Sequence, residues 1–147
     1  MFKIKPITVF THPGLYLQNL PAKGRGVFCA EDVKAGDVLE VAPLLIFNES
    51  DTAQFANTLV HDYYFTTSTL PQEMTARAGV KDAQKGSFLV MGISSFCNHL
   101  LDPNAKASTA GEYSTVFYKL TALKDIPKDT EICINYGISW FAARRTR

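Results

Sequence analysis

Cysteine, tryptophan, long apolar runs and an excess of either charge are all scarce in this 147-residue sequence. Cys29, Cys97 and Cys133 are the only cysteines and stand far apart. They fit a reducing compartment better than a disulfide framework, and no C-x₂-C or H-x₃₋₅-H spacing offers a zinc site. No stretch approaches the ~20 apolar residues of a membrane-spanning helix. Pro6 falls where a signal peptide needs an unbroken apolar core, so an intracellular protein, cytoplasmic or nuclear, is expected. Fifteen Lys and Arg against 14 Asp and Glu leave a net charge of +1. Proteins that bind nucleic acid by neutralising many phosphates carry a larger basic surplus, so direct nucleic-acid binding is not expected. Arg144, Arg145 and Arg147 read as a solvated chain end. What is present, 46% hydrophobic, 12% aromatic and 20% charged residues, is the make-up of one globular domain with one core.

Short apolar runs punctuated by turn residues dominate. Strands are expected at 7–10, 15–20, 38–41, 44–47, 63–65, 115–120 and 131–136. His12-Pro13-Gly14, Lys23-Gly24-Arg25-Gly26, Ala35-Gly36-Asp37 and Asp102-Pro103-Asn104 supply the turns. One segment, 53–60, reads as a short helix with Phe55 and Leu59 on one face, capped from Asp51 with Gln54 three residues on. The polar stretch 66–86 is too long for a mere connection and is expected to be a surface excursion with a functional part. The fold class is mostly β with short helices.

Four segments offer chemistry, each with a plainer reading beside it. Lys23-Gly24-Arg25-Gly26 lets backbone approach a ligand closely, yet an isolated G-x-G is more often a simple glycine turn, and the third glycine of a dinucleotide fingerprint is missing. Asn98 and His99 sit between apolar neighbours and bring an amide and an imidazole together, whether for a ligand or for the core. Cys97 and His99, two apart on a strand, share a face and suggest a thiol nucleophile, but no third group orients them. Tyr136 ends the last strand, and Trp140-Phe141 follow it as a core seal or as one wall of a pocket.

The order of these segments carries more than any one of them. Lys23-Gly24-Arg25-Gly26-Val27-Phe28 is followed by Val33-Lys34-Ala35-Gly36-Asp37-Val38-Leu39-Glu40. Next come Phe96-Cys97-Asn98-His99-Leu100-Leu101-Asp102-Pro103-Asn104 and Ala122-Leu123-Lys124-Asp125-Ile126. Glu131-Ile132-Cys133-Ile134-Asn135-Tyr136-Gly137 closes the series. Over nearly its whole length the chain resembles the SET-domain family of protein lysine methyltransferases. That resemblance implies a SET fold of small curved sheets with a C-terminal pseudoknot, as one domain over 1–147. It also implies a variable insert near 66–86 and a short tail over 138–147.

The resemblance further implies S-adenosyl-L-methionine as methyl donor, S-adenosyl-L-homocysteine as product and no metal. Lys23, Gly24, Arg25 and Gly26 would lie along the donor, with Ser95, Phe96, Asn98 and His99 beside it and Trp140 or Phe141 on its adenine. Tyr136 matches the family's catalytic tyrosine. Tyr63 takes the place of a second tyrosine that lines the active site, and Phe117, Tyr118 and Phe141 are candidates for the substrate channel. The partner implied is a protein or peptide presenting a lysine, such as a histone or another basic protein. The resemblance leaves open whether two copies pair as a homodimer.

Leu100-Leu101 stand in place of Ser-Cys, Asp129-Thr130 in place of Gly-Glu, Asn135 in place of Asp, and Ser95 in place of a frequent Arg. Both leucines are expected to pack inward. No cysteine-rich flanking segments accompany the motifs, so a minimal SET domain is expected, of a kind that fits a bacterial or viral source acting on host or self proteins. The rival reading is a catalytically silent SET-like module that binds a peptide or partner. A thiol hydrolase or a zinc-dependent structural domain stands behind both.

Overall fold

The computed structural model describes residues 8–67, 86–112, 115–137 and Phe141. Two sheets share one core. The larger runs in the order β5 (Phe65–Thr67), β6 (Gly86–Val90), β4 (Val38–Phe47), β9 (Thr115–Ala122), β8 (Ala105–Glu112), with β1 (Phe10–Thr11) also paired to β4. The smaller runs β2 (Leu15–Leu20), β3 (Gly24–Cys29), β10 (Glu131–Ile134), β7 (Asn98–His99). Val27, Leu39, Leu120 and Ile132 are fully buried between them, with Val33 and Ile126 bridging the turns that precede β4 and β10.

Several elements differ from the sequence expectation for physical reasons. The glycine segment is the start of strand β3, paired from Leu20↔Gly24 to Leu15↔Cys29, and only Gly24, at φ 79°, takes the left-handed turn conformation. The runs 38–41 and 44–47 form one ten-residue strand through Pro43. Pro43 closes the pairing with β9, the pairing with β6 begins at Leu44, and at this junction proline serves through its carbonyl, which accepts from the Met91 N–H at 3.0 Å. The helix α1 spans Glu49–Phe55, and its cap is Asn48, whose Oδ1 accepts from the Asp51 N–H at 2.8 Å. A separate 3₁₀ turn, Leu59–Asp62, takes up the rest of the expected helix, and Tyr63 ends that turn rather than starting a strand. β6 and β8 were not anticipated. Of the excursion at 66–86, residues 68–85 lie outside the described residues, as do the ends of the chain at 1–7, 138–140 and 142–147.

Two polar devices place the segment 92–104. Glu40 is 1% exposed and accepts from the Ser94 N–H at 2.8 Å and the Ser94 hydroxyl at 2.6 Å, with the Ile93 N–H and the Thr11 hydroxyl each at 3.2 Å. Four donors compensate the burial of one carboxylate and pin the 3₁₀ turn Ile93–Phe96 to β4. A side chain at Gly92 would collide with that carboxylate, since a Cβ there would lie 2.5 Å from Glu40 Oε1. Asn104 clasps β10, donating to the Glu131 carbonyl at 2.8 Å and accepting from the Cys133 N–H at 2.9 Å.

β10 therefore lies between β3 and the 98–104 loop, antiparallel to the first and parallel to β7. This is the fold's C-terminal strand tucked against a preceding loop. Leu100 and Leu101 correct an expectation: they are 45% and 83% exposed, because the loop turns its polar asparagines toward β10 and its leucines toward solvent. Asp129 adopts a left-handed φ of 59° and accepts from the Tyr16 hydroxyl at 2.8 Å, so an aspartate serves in a turn conformation that favours glycine.

Candidate functional site

Where β3, the 3₁₀ turns and the end of β10 meet, they enclose a cleft of about 630 Å³. Lys23, Gly24 and Arg25 come from β3 and its turn, and Tyr63 from the end of the first 3₁₀ turn. Ser95, Phe96, Asn98 and His99 come from the segment pinned by Glu40, and Tyr136 and Phe141 from the C-terminal stretch. Ala22 and Asp62 complete the lining and were not singled out in the sequence. A smaller apolar cleft of about 280 Å³ shares Arg25, Tyr63, Ser95 and Phe96 with the first and adds Leu59, Val60, Leu89 and Val90.

Each polar side chain has a defined orientation. Asn98 spends both amide protons inward, on the Arg25 carbonyl at 2.9 Å and on Glu131 Oε1 at 2.7 Å. Glu131 also holds Lys23 at 3.1 Å, and that hydrogen bond raises the Lys23 pKa above its ordinary value, so the ammonium persists. His99 Nδ1 accepts from the Tyr136 backbone N–H at 3.0 Å, which places the proton of the neutral imidazole on Nε2. The Tyr136 hydroxyl donates to the Cys97 carbonyl at 2.5 Å.

Rings make up most of the wall. Phe141 meets His99 edge-on at 4.7 Å between centroids and lies nearly parallel to Tyr136 at 6.2 Å. Phe65 packs edge-on against Tyr136 at 5.5 Å from behind, and Tyr63 meets Phe96 at 5.7 Å. Arg25 lays its guanidinium over the Phe96 ring, 4.3 Å from the centroid.

Three sequence candidates lie elsewhere. Gly26 is buried beneath the cleft, where a Cβ would sit 2.7 Å from Leu20 and 2.9 Å from Glu131, so glycine is needed there for packing. Phe117 and Tyr118 do not line the cleft. Adjacent strand residues face opposite sides, and Tyr118, 1% exposed, is turned into the core against β4, with its hydroxyl lacking a hydrogen-bond partner. Burial, ahead of its polar neighbours, raises the Tyr118 pKa well above the ordinary value. Trp140 lies outside the described residues.

Glu131 and Glu40 are the positioning groups that sequence reasoning passed over, although both stand inside the motifs as their acidic positions. A thiol nucleophile has no support here: Cys97 is fully buried and burial pushes its thiol far above the ordinary range. Among the described residues no three His, Cys, Asp or Glu side chains gather as a metal would require.

Asn98, His99 and Tyr136 surround a space rimmed by the open backbone at Gly24, where a side chain would meet nothing within 4 Å. A histone-lysine N-methyltransferase specific for H3 lysine 37, from Schizosaccharomyces pombe, is 28% identical over 131 residues, covering 86% of this chain and 76% of the relative. Among solved structures, the Neurospora SET-domain protein DIM-5, a histone lysine methyltransferase, superposes with a TM-score of 0.63 at 23% identity, over 84% of this chain and 52% of that one. The ctPRC2 assembly, solved in an autoinhibited conformation bound to S-adenosylmethionine, matches with a TM-score of 0.63 at 21% identity, over 84% of this chain and 15% of that one. These likenesses agree on the fold. The SET-domain family profile matches residues 24–137, and the chain belongs to that family.

Proposed function

We propose that this SET domain is an S-adenosylmethionine-dependent protein lysine N-methyltransferase whose donor occupies the larger cleft. The observation that carries the reading is the Tyr136 hydroxyl, held at the cleft wall with its proton committed to the Cys97 carbonyl. When bound, the donor supplies an electrophilic methyl on a sulfonium that leaves as a neutral thioether. The residues present fit it: a His99–Phe141 aromatic corner, a rim open at Gly24, and charged groups of both signs in Arg25, Lys23 and Asp62.

The protein's task lies with the nucleophile. A free lysine has a pKa near 10.4, so presenting its neutral amine at pH 7 costs about 4.6 kcal/mol. An approach lined by Tyr63 and Tyr136, the latter backed by Phe65, disfavours the ammonium by excluding water. With its proton engaged, the Tyr136 oxygen offers only lone pairs. It accepts an amine N–H and so turns the nitrogen lone pair toward the methyl. His99 fixes the Tyr136 backbone, and Glu131 and Glu40 hold the segment that carries Asn98 and His99.

A silent binding module loses its main support in the geometry. Leu101 points to solvent, Asp129 is satisfied by Tyr16, and Asn135 accepts from the Gly137 N–H at 2.9 Å, so none of the three departures enters the cleft. The substrate is a protein lysine, and the name of the fission-yeast relative makes histone H3 the first to test, with a nuclear site of action. Incubating the protein with core histones and a methyl-labelled donor tests the reading. Label on a histone lysine, lost in Tyr136→Phe, supports it; a folded protein that binds donor yet labels no protein substrate contradicts it.

A further inference from the structure

We propose that the outer face of the larger sheet is the docking surface for an acidic amphipathic helix of a partner protein. Along β4 this face carries Val41, Pro43 and Leu45, with Phe10 across from Val41 on β1 and Phe117 across from Pro43 on β9. Ala42 and Leu44, between them, turn the other way and pack in the core. None of the five lines the larger cleft, so the inference stands apart from the donor reading.

One end of the face shows what it requires. Phe47 is buried there because α1 lies over it, with Phe55 edge-on at 4.9 Å. α1 stops at Phe55, and the apolar strip continues without a cover. Phe10, Leu45 and Met91 are 41%, 49% and 54% exposed, and Pro43, whose carbonyl holds the Met91 N–H, is exposed as well. A sheet that is apolar on both faces needs a layer on each, and a second helix continues the layer that α1 begins. The border of the strip sets the charge of that helix. Lys119 is across from Val41 and Ser108, and Lys106 is across from Thr121 on the same face. Neither lysine has a hydrogen-bond or ion-pair partner among the described residues. Carboxylates flanking an apolar stripe answer both features. A second copy of the chain would bring the same two lysines to the contact, which is the wrong charge.

Fluorescence anisotropy tests this with three labelled peptides of about 18 residues, or five helical turns. The first carries leucines at i, i+3, i+4 and i+7 and glutamates elsewhere. The second has lysine for every glutamate, and the third scrambles the first so that no stripe remains. Wild type is expected to bind the first with a dissociation constant on the order of 10–100 μM, and the other two at least about 10-fold more weakly. Leu45→Thr with Met91→Thr is expected to weaken the first peptide by about 10-fold or more. Lys106→Gln with Lys119→Gln is expected to weaken it by about 3- to 10-fold and to remove most of the salt dependence. Cooperative urea unfolding checks that both double variants are folded. No saturable binding of the first peptide, equal binding of either control, or binding that either double variant leaves untouched overturns the proposal. So does a dimer in sedimentation velocity, or capture by phosphatidylserine vesicles, that Leu45→Thr with Met91→Thr abolishes, because the face then belongs to a second copy or to lipid.

Discussion

Tyr136 and Cys97 are joined by a hydrogen bond from the tyrosine hydroxyl to the cysteine's backbone carbonyl, at 2.5 Å. The bond links the end of β10 to the residue just before β7, the two strands that pair in parallel, so the tyrosine's direction is set by the same contact that closes the smaller sheet. A hydroxyl fixed in this way acts toward a ligand as an acceptor only.

Replacing Tyr136 with phenylalanine removes that acceptor, and with it the hydrogen bond to the Cys97 carbonyl, while keeping the ring. Turnover is expected to fall on the order of 100-fold, as when a single positioned group is lost, with S-adenosylhomocysteine affinity within about threefold of wild type. Steady-state kinetics beside a ligand titration check the split. A loss of affinity equal to the loss of rate would make Tyr136 a binding residue instead.

Glu40→Gln puts an amide among four donors that all point at a carboxylate. The variant is expected to lose about 2–4 kcal/mol of stability, since charged hydrogen bonds are worth more than neutral ones and at least one buried donor is left facing another. Urea unfolding measures this directly. Because Glu40 holds the 3₁₀ turn before Phe96, donor affinity is expected to fall as well, whereas a purely remote destabilisation would leave the affinity of the folded fraction intact.

All three thiols are buried, and burial, with the Glu131 carboxylate a lesser cause, pushes Cys133 up to about 11. An acid whose pKa is higher in the folded chain than in the unfolded one adds stability that is complete below the unfolded value, near 9, and declines above it. The thermal midpoint is therefore expected to fall as pH rises from 9 toward 11, and iodoacetamide at pH 8 should label the cysteines only in denaturant. Rapid labelling of Cys97 or Cys133 in the native protein would show that the region around β7 and β10 opens readily.

The sequence made the site's membership more legible than its architecture. The segments around Gly24, Asn98 and Tyr136 stand out because polar side chains there each meet several constraints at once. Asn104 shows this best: one side-chain amide supplies both the donor and the acceptor that two backbone groups of β10 require. β8 was invisible because its alternation is between small residues such as Ala105 and Ala107 and polar ones, with no large apolar side chain to mark it, and its pairing with the apolar β9 makes it a strand. Leu100 and Leu101 misled in the other direction, since hydrophobicity alone does not say which way a loop turns. The stacking of Arg25 on Phe96 joins residues 71 positions apart and has no local signal at all.

Calorimetric titration of wild type and of an Asn98→Ala, His99→Ala double variant with S-adenosylmethionine and S-adenosylhomocysteine tests the donor site most directly. The account predicts saturable binding of both ligands by wild type and its loss in a double variant that still unfolds cooperatively. Well-folded wild type that takes up neither ligand, or a double variant that binds as wild type does, would contradict it.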